Sequence, residues 1–230
     1  MIWENLKLKI IEVKEIVDFT KSFVLEKPKS FDYLPGQHIF VEIAPENGKP
    51  FSLVSSPTQN FLEFSTIIRD DSPFKQELNV LTSGDELIIS GPYGKKFYYE
   101  DEEKDIVFIV GGIGITPFMG ILRYLTEKEM TTRVTLLYSS RTFKNTAFKK
   151  ELDELAEKNK NIRIVYTMTD DLNYKGNKGR IDKLFIQDHV ENVQDKIWYI
   201  SGVPKMVEVI FNLLKTLGVK NIKLDSFSGY

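Results

Sequence analysis

Three glycines, a threonine and a proline crowd one short stretch: Gly111, Gly112, Gly114, Thr116 and Pro117, directly after five apolar residues, 106–110. Glycines so placed permit a tight turn and let backbone come close to a ligand. Thr116 and Pro117 read as the N-cap and first residue of a helix, whose apolar Phe118, Ile121, Leu122 and Leu125 recur at helical spacing. Strand end, glycine turn and helix start aim unpaired N–H groups and the positive end of a helix dipole at one point, which is the chemistry that holds a diphosphate. The competing reading is a glycine turn that only packs a strand on a helix, since Pro117 stands where GxGxxG has its third glycine. Turn, cap and helix together favour a dinucleotide site.

Two further places offer chemistry. Ser72-Pro73 reads as N-cap and first residue of a second helix, 72–81, and so as a second anion-binding helix start. Ser139-Ser140-Arg141 follows the second strand of the later half, where an ordinary NAD site carries an acid for the ribose 2′-hydroxyl; an arginine there suits a 2′-phosphate and predicts NADPH over NADH, a solvated surface arginine being the alternative.

These groups are positioned by two different rhythms. Residues 6–13, 19–25, 37–43, 50–54, 61–69 and 86–90 read as short strands, separated by turns such as Pro35-Gly36, Asn47-Gly48 and Ser83-Gly84, and predict a small antiparallel barrel. From residue 105 strand and helix alternate. Strands are expected at 106–110, 134–138, 162–168, 197–201 and 222–224. Helices are expected after 116, at 147–157, near Asp182 and at 204–217. That is a five-stranded doubly wound parallel sheet, whose ligands gather beyond the strand ends at 111–116, 139–141, 167–171, 201–202 and 225–230. The charged run 100–105 separates the two patterns and predicts domains at 1–101 and 102–230.

Composition narrows the field. The 230 residues carry a net charge of −2 with scattered basic residues, which favours neither nucleic acid nor an anionic membrane. The uncharged run 106–122 is shorter than the ~20 residues of a membrane span and is broken by glycine and proline. The N-terminus has no signal-peptide core, so a cytoplasmic location is expected. Cysteine is absent, which excludes disulfides, thiolate zinc sites and cysteine-held iron–sulfur clusters in this chain. His38 and His189 are the two imidazoles, and their separation suits neither a metal site nor a catalytic triad.

Several motifs then fall in a familiar order. Pro35-Gly36-Gln37, Lys49-Pro50-Phe51-Ser52, Gly91-Pro92-Tyr93-Gly94, the Gly111–Pro117 run, Ser201-Gly202-Val203-Pro204-Lys205-Met206 and the tail Asp225–Tyr230 together resemble the ferredoxin–NADP(H) reductase-like flavoenzymes over nearly the whole chain. The resemblance implies a Greek-key flavin barrel followed by an NAD(P) domain, with FAD and NADPH or NADH as cofactors. It places Lys49, Pro50, Phe51, Ser52, Ile67, Ser72, Phe74 and Lys75 at the flavin, Phe51 along the isoalloxazine and the Ser52 hydroxyl near flavin N5. It places Gly112, Gly114, Thr116, Ser140 and Arg141 at the nicotinamide nucleotide. Ser52, Ser201 and Asp225 are the implied catalytic residues, and Phe227 or Tyr230 would stack on the flavin. Lys49 replaces a family arginine and loses its bidentate grip, which keeps FMN open, and Ser201 replaces a cysteine. The implied activity is transfer of electrons from NAD(P)H through flavin to ferredoxin or flavodoxin. A flavin or ferric reductase and a non-catalytic flavin-binding subunit are the alternatives.

Overall fold

The computed structural model describes residues 2–94, 97–100 and 105–226. By packing, the chain divides into two units, 1–99 with 116–127 and 100–115 with 128–230.

The first unit is built on six antiparallel strands: β1 (Trp3–Val17), β2 (Thr20–Glu26), β3 (His38–Ala44), β4 (Asn47–Ser52), β5 (Phe61–Ile67) and β6 (Glu86–Tyr93). Their order is β4-β3-β6-β1-β2-β5. The chain leaving β4 closes the ends: Leu53 bridges to Phe64, and the Val54 N–H donates to the Glu63 carbonyl at 2.7 Å. Inward side chains alternate along the strands, as Ile39 and Val41 do in β3, and meet Phe23, Leu25, Phe64, Leu87 and Ile89 in a core where each is fully buried. Helix α1 (Pro73–Val80) lies between β5 and β6 in the chain and buries Phe74 and Leu78.

Helix α2 (Thr116–Glu127) also belongs to this unit, although its place in the chain predicted the second domain. The reason is close packing. A Cβ on Gly120 would stand 2.8 Å from the Leu53 carbonyl oxygen and 2.9 Å from that of Ser55. Beside it the Arg123 guanidinium reaches the Glu63 carboxylate at 2.5 Å and the Val54 carbonyl at 3.0 Å. Glu63 is 2% exposed. Its other oxygen accepts from the Ser22 hydroxyl at 2.5 Å, which in turn takes a bond from Ser65 at 2.8 Å.

The second unit holds a parallel sheet in the order β10-β9-β8-β7-β11-β12. Its strands are β7 (Asp105–Gly111), β8 (Arg133–Ser140), β9 (Ile162–Met168), β10 (Asn177–Lys178), β11 (Ile197–Gly202) and β12 (Ile222–Ser226). The five expected strands are there, and a sixth of two residues, β10, extends the edge beside Thr167 and Met168. Residues 106–110 of β7 are fully buried, as an unbroken apolar run in a covered parallel strand must be. The helices are α3 (Lys149–Lys158), α4 (Lys183–His189), capped by the Asp182 carboxylate on the Phe185 N–H at 2.8 Å, and α5 (Pro204–Thr216). Chain direction reverses its spread on either side of β7, with β8 on one flank and β11 on the other. That junction is the crevice where doubly wound sheets bind ligands.

Three local expectations are corrected. The β3–β4 turn falls at residues 45–46, with Glu46 at φ 66°, so Asn47-Gly48 opens β4. A Cβ on Gly48 would run into the Phe40 ring, so a larger residue there would make that side chain shift. A turn of 3₁₀ helix, Gly112–Ile115, precedes α2, so Thr116 is its first residue instead of its cap. Ser72 stands at the N-cap of α1 with extended backbone, yet its hydroxyl makes no capping bond. Among the described residues no helix is long and apolar enough to cross a membrane, and no cluster of three metal-ligating side chains occurs.

The buried Glu63–Arg123 pair generates a stability prediction. Arg123→Met should lower unfolding free energy by about 3–5 kcal/mol, because Glu63 is left charged and uncompensated, whereas pairing it with Glu63→Gln should recover part of the loss. Urea unfolding of the two variants checks both parts.

Candidate functional site

In the first unit, three motifs far apart in sequence meet at the start of β3. Ser52 pairs in register with His38, and His38 with Tyr93, so the three side chains stand side by side across β4, β3 and β6. The His38 and Tyr93 rings are 6.0 Å apart. The Leu53 N–H donates to the Gln37 carbonyl at 2.9 Å, and a Cβ on Gly94 would lie 3.2 Å from His38 Nδ1. Burial lowers the His38 pKa, which keeps the ring neutral at pH 7. Metal and triad arithmetic does not single out this histidine; its signal is that it directly follows Pro35-Gly36-Gln37 and is the barrel's one imidazole.

Phe51, next to Ser52, is 8% exposed and packs on Phe64 at 4.9 Å and on Phe74 at 6.0 Å with rings 20° from parallel. The ring expected along the flavin is thus also part of the barrel core. It ties the end of β4 to the first turn of α1, where Ser72, Phe74 and Lys75 sit. Ile67 is half-buried at the end of β5. Lys49 and Pro50 are exposed. Lys75 is not: only 5% of it reaches solvent, and among the described residues no hydrogen bond or ion pair engages its ammonium. The neighbouring cation, Arg69, is held by Asp71 in a two-bond fork at 2.8 and 2.5 Å. A nearly buried, unmatched ammonium at a helix start is the place for an anion.

In the second unit, the glycines of the 111–114 turn divide their work. A Cβ on Gly111 would strike Met206 Sδ at 2.3 Å, and one on Gly114 would strike the Ser201 carbonyl at 2.7 Å. Gly114 is demanded by packing on backbone, whereas the Met206 side chain beside Gly111 can yield. Gly112 is different: it has φ +54° and nothing within 4 Å, so this is the glycine whose backbone is open to a ligand. The Tyr138 hydroxyl, buried and therefore raised in pKa, donates to the Gly112 carbonyl at 3.0 Å and holds the turn. Nothing in the chain flags that tyrosine's role, because Tyr138 reads as one more apolar strand residue.

Ser201 is fully buried, and among the described residues its hydroxyl has no hydrogen-bond partner. It lies in register with Asp225 of β12, so two of the expected catalytic residues are neighbours. Ser140 is buried and bonds its own loop at Asn145; Arg141 is exposed. Thr116, in the first unit, is 5% exposed at the start of α2. Phe227 and Tyr230 lie outside the described residues.

Comparison with known proteins decides what these features belong to. Residues 4–97 match the family model described as an FAD-binding domain, and residues 108–211 the one described as an oxidoreductase NAD-binding domain. Together the two matches make the chain an FAD- and NAD(P)-binding oxidoreductase. The gamma subunit of sulfhydrogenase 1 from Pyrococcus furiosus is 26% identical over 224 residues, covering 93% of this chain and 76% of that one. One subunit of the Na(+)-translocating NADH-quinone reductase of Yersinia enterocolitica is 31% identical over 158 residues, 65% of this chain and 39% of the relative. A ferredoxin NADP+ reductase from Neisseria gonorrhoeae, solved with bound FAD and NADP, shares the fold at TM-score 0.82 and 22% identity, over 97% of this chain and 99% of that one.

The side chains of this oxidoreductase fit the cofactors of its family. Lys75 offers an unspent charge to a flavin diphosphate, Gly112 an open backbone to a dinucleotide, and Ser201 an unused buried hydroxyl. Burial, with Arg69 adding repulsion and Asp71 offsetting part of it, lowers Lys75 from 10.5 to about 8. Between those two values the unfolded chain holds a proton that the folded apoprotein has released, so the Lys75 contribution to apoprotein stability rises with pH across that window. A bound diphosphate favours the charged ammonium, so FAD affinity should fall as pH rises from about 8. Lys75→Met should weaken FAD binding about 10-fold or more and abolish that pH dependence. Fluorescence titration of apoprotein with FAD at several pH values measures both effects.

Proposed function

We propose that this chain takes a hydride from NAD(P)H onto FAD and passes the electrons to a separate one-electron carrier, ferredoxin or flavodoxin. FAD supplies the step from a two-electron donor to one-electron acceptors. The observation that carries the reading is the pairing of an FAD unit with an NAD unit in a chain without cysteine, which leaves no cysteine-held cluster within these 230 residues to receive the electrons. Two relatives bear the names of subunits, one of a sulfhydrogenase and one of an NADH-quinone reductase, which supports delivery to a partner protein.

The protein's part is placement. In this reading Ser52, held by the β3–β4 pairing and flanked by His38, hydrogen-bonds flavin N5 and sets its position. Lys75 and the start of α1 hold the diphosphate. Gly112 would admit the dinucleotide, Ser201 would stand at the nicotinamide, and Asp225, its neighbour in register, would be the acid beside it. A flavin or ferric reductase would use the same groups and differ in releasing reduced flavin or reducing free acceptors.

NAD(P)H oxidation with ferredoxin, flavodoxin and free FMN as competing acceptors separates these functions. Reduction of a protein carrier at least about tenfold faster than of free FMN is expected, and preference for free FMN would replace the proposal with the flavin-reductase reading. Ser52→Ala, fully loaded with FAD, should slow stopped-flow flavin reduction by about 10- to 100-fold, the scale of loss when reacting atoms shift by about 1 Å. Reduction at the parental rate would remove Ser52 from the reaction.

A further inference from the structure

The end of β8 carries an arginine where an NAD site carries an acid, and on sequence alone that argued for NADPH. The structure brings the missing acid in from the next strand. Beyond the formal ends of β8 and β9 the ladder continues for two more bonds: the Thr169 N–H donates to the Ser140 carbonyl at 2.9 Å, and the Asp170 N–H to the Arg141 carbonyl at 2.8 Å. Asp170 is thereby fixed beside Arg141, and its carboxylate lies 3.8 Å from the guanidinium. The adjacent acid has another task. Asp171 accepts from the N–H groups of Phe143 at 3.1 Å, Asn173 at 3.2 Å and Tyr174 at 3.1 Å, and so ties the two loops together. Over this tie Phe143 stacks on Tyr174 with centroids 5.2 Å apart, and Phe143 stays 40% exposed. A further cation, Lys149, sits over the Phe143 ring at 4.6 Å and is bound to Asp153 at 2.5 Å.

We propose that Asp170 selects the nicotinamide nucleotide, making this a site for NADH, with the 2′-hydroxyl of the adenosine ribose as its hydrogen-bond donor. The inference rests on the NAD(P)H reading above and adds which of the two cofactors the chain takes. A ribose hydroxyl can donate to the Asp170 carboxylate where it stands, with the exposed guanidinium of Arg141 alongside. A 2′-phosphate taken by Arg141 would face that carboxylate at close range. Discrimination of this kind works by repulsion of the wrong ligand as well as attraction of the right one.

The test uses the FAD-loaded full chain and one measurement that needs no turnover. kcat/KM is determined for NADH and NADPH with a dye acceptor, and 5′-ADP and 2′,5′-ADP are titrated calorimetrically. The parent should favour NADH and bind 5′-ADP the more tightly. Asp170→Asn should raise the NADPH-to-NADH ratio by about tenfold or more and tighten 2′,5′-ADP binding, because Arg141 is freed for the phosphate. Adding Arg141→Ala to Asp170→Asn should cancel that gain. A parental preference for NADPH, or an unchanged ratio in Asp170→Asn with both cofactors still used, would overturn the assignment of Asp170 alone. Failure of the parent to bind either ADP or to oxidise either cofactor would overturn the NAD(P)H reading itself.

Discussion

A carboxylate in the wall of a β-barrel is the constraint on which much of this molecule rests. Glu63 is all but sealed from water, and a charge so placed is tolerated only if every oxygen finds a strong partner. Arg123 of α2 satisfies one oxygen and Ser22 the other, while the Glu63 N–H is taken by the Ser55 hydroxyl at 3.0 Å. Ser55 also meets the Tyr33 hydroxyl at 2.8 Å, and Arg123 holds the Val54 carbonyl. One network therefore fixes the segment 53–55, the loop around Tyr33 and the helix after the glycine turn. Ser52 is the residue just before that segment. The group read as closest to the flavin thus directly precedes a segment anchored by a buried charge pair.

The glycine turn illustrates how packing and function share one motif. Gly114 is needed because the backbone of Ser201 presses against it, and Gly111 packs against the Met206 side chain. Had all the glycines been of this kind, the turn would be a packing device between β7, β11 and α5. Gly112 alone combines a left-handed backbone with open space, and Tyr138 pins its carbonyl from below. A site for a dinucleotide requires both conditions, a rigid support and an uncovered backbone, and they are met at adjacent residues.

Charge placement follows a similar division between residues that are occupied and residues that are available. Lys49, expected from its motif to meet the flavin phosphate, is exposed, and Arg69 is already held by Asp71. Lys75 is nearly buried with no ion pair to its ammonium among the described residues and only partial compensation from Asp71, an arrangement that costs the apoprotein free energy and that an anion would relieve. On the other unit the exposed guanidinium of Arg141 has the Asp170 carboxylate 3.8 Å away, so an anion approaching it meets an acid as well. Whether a cation is spent or unspent decides what it can bind, and that depends on neighbours distant in sequence.

Much of the architecture was determined locally and could be read from the chain. The run 106–110 had to be a buried strand because nothing polar interrupts it, and the shift from turn-punctuated strands to alternating strand and helix separated barrel from parallel sheet. The motifs around Ser52, Gly112 and Ser201 were legible because their residue types are tied to backbone geometry and follow one another in a family's order. What only tertiary structure decided was partnership. That α2 packs with the barrel unit, that His38 stands beside Ser52, that Lys75 is buried and unmatched, and that Asp170 faces Arg141 are all contacts between segments separated along the chain, and β10 exists only because its two residues meet β9. Periodicity and turn chemistry report on a residue's own few neighbours. Electrostatic pairing and close packing are fixed by whichever segments the closed sheets bring within a few ångströms of each other.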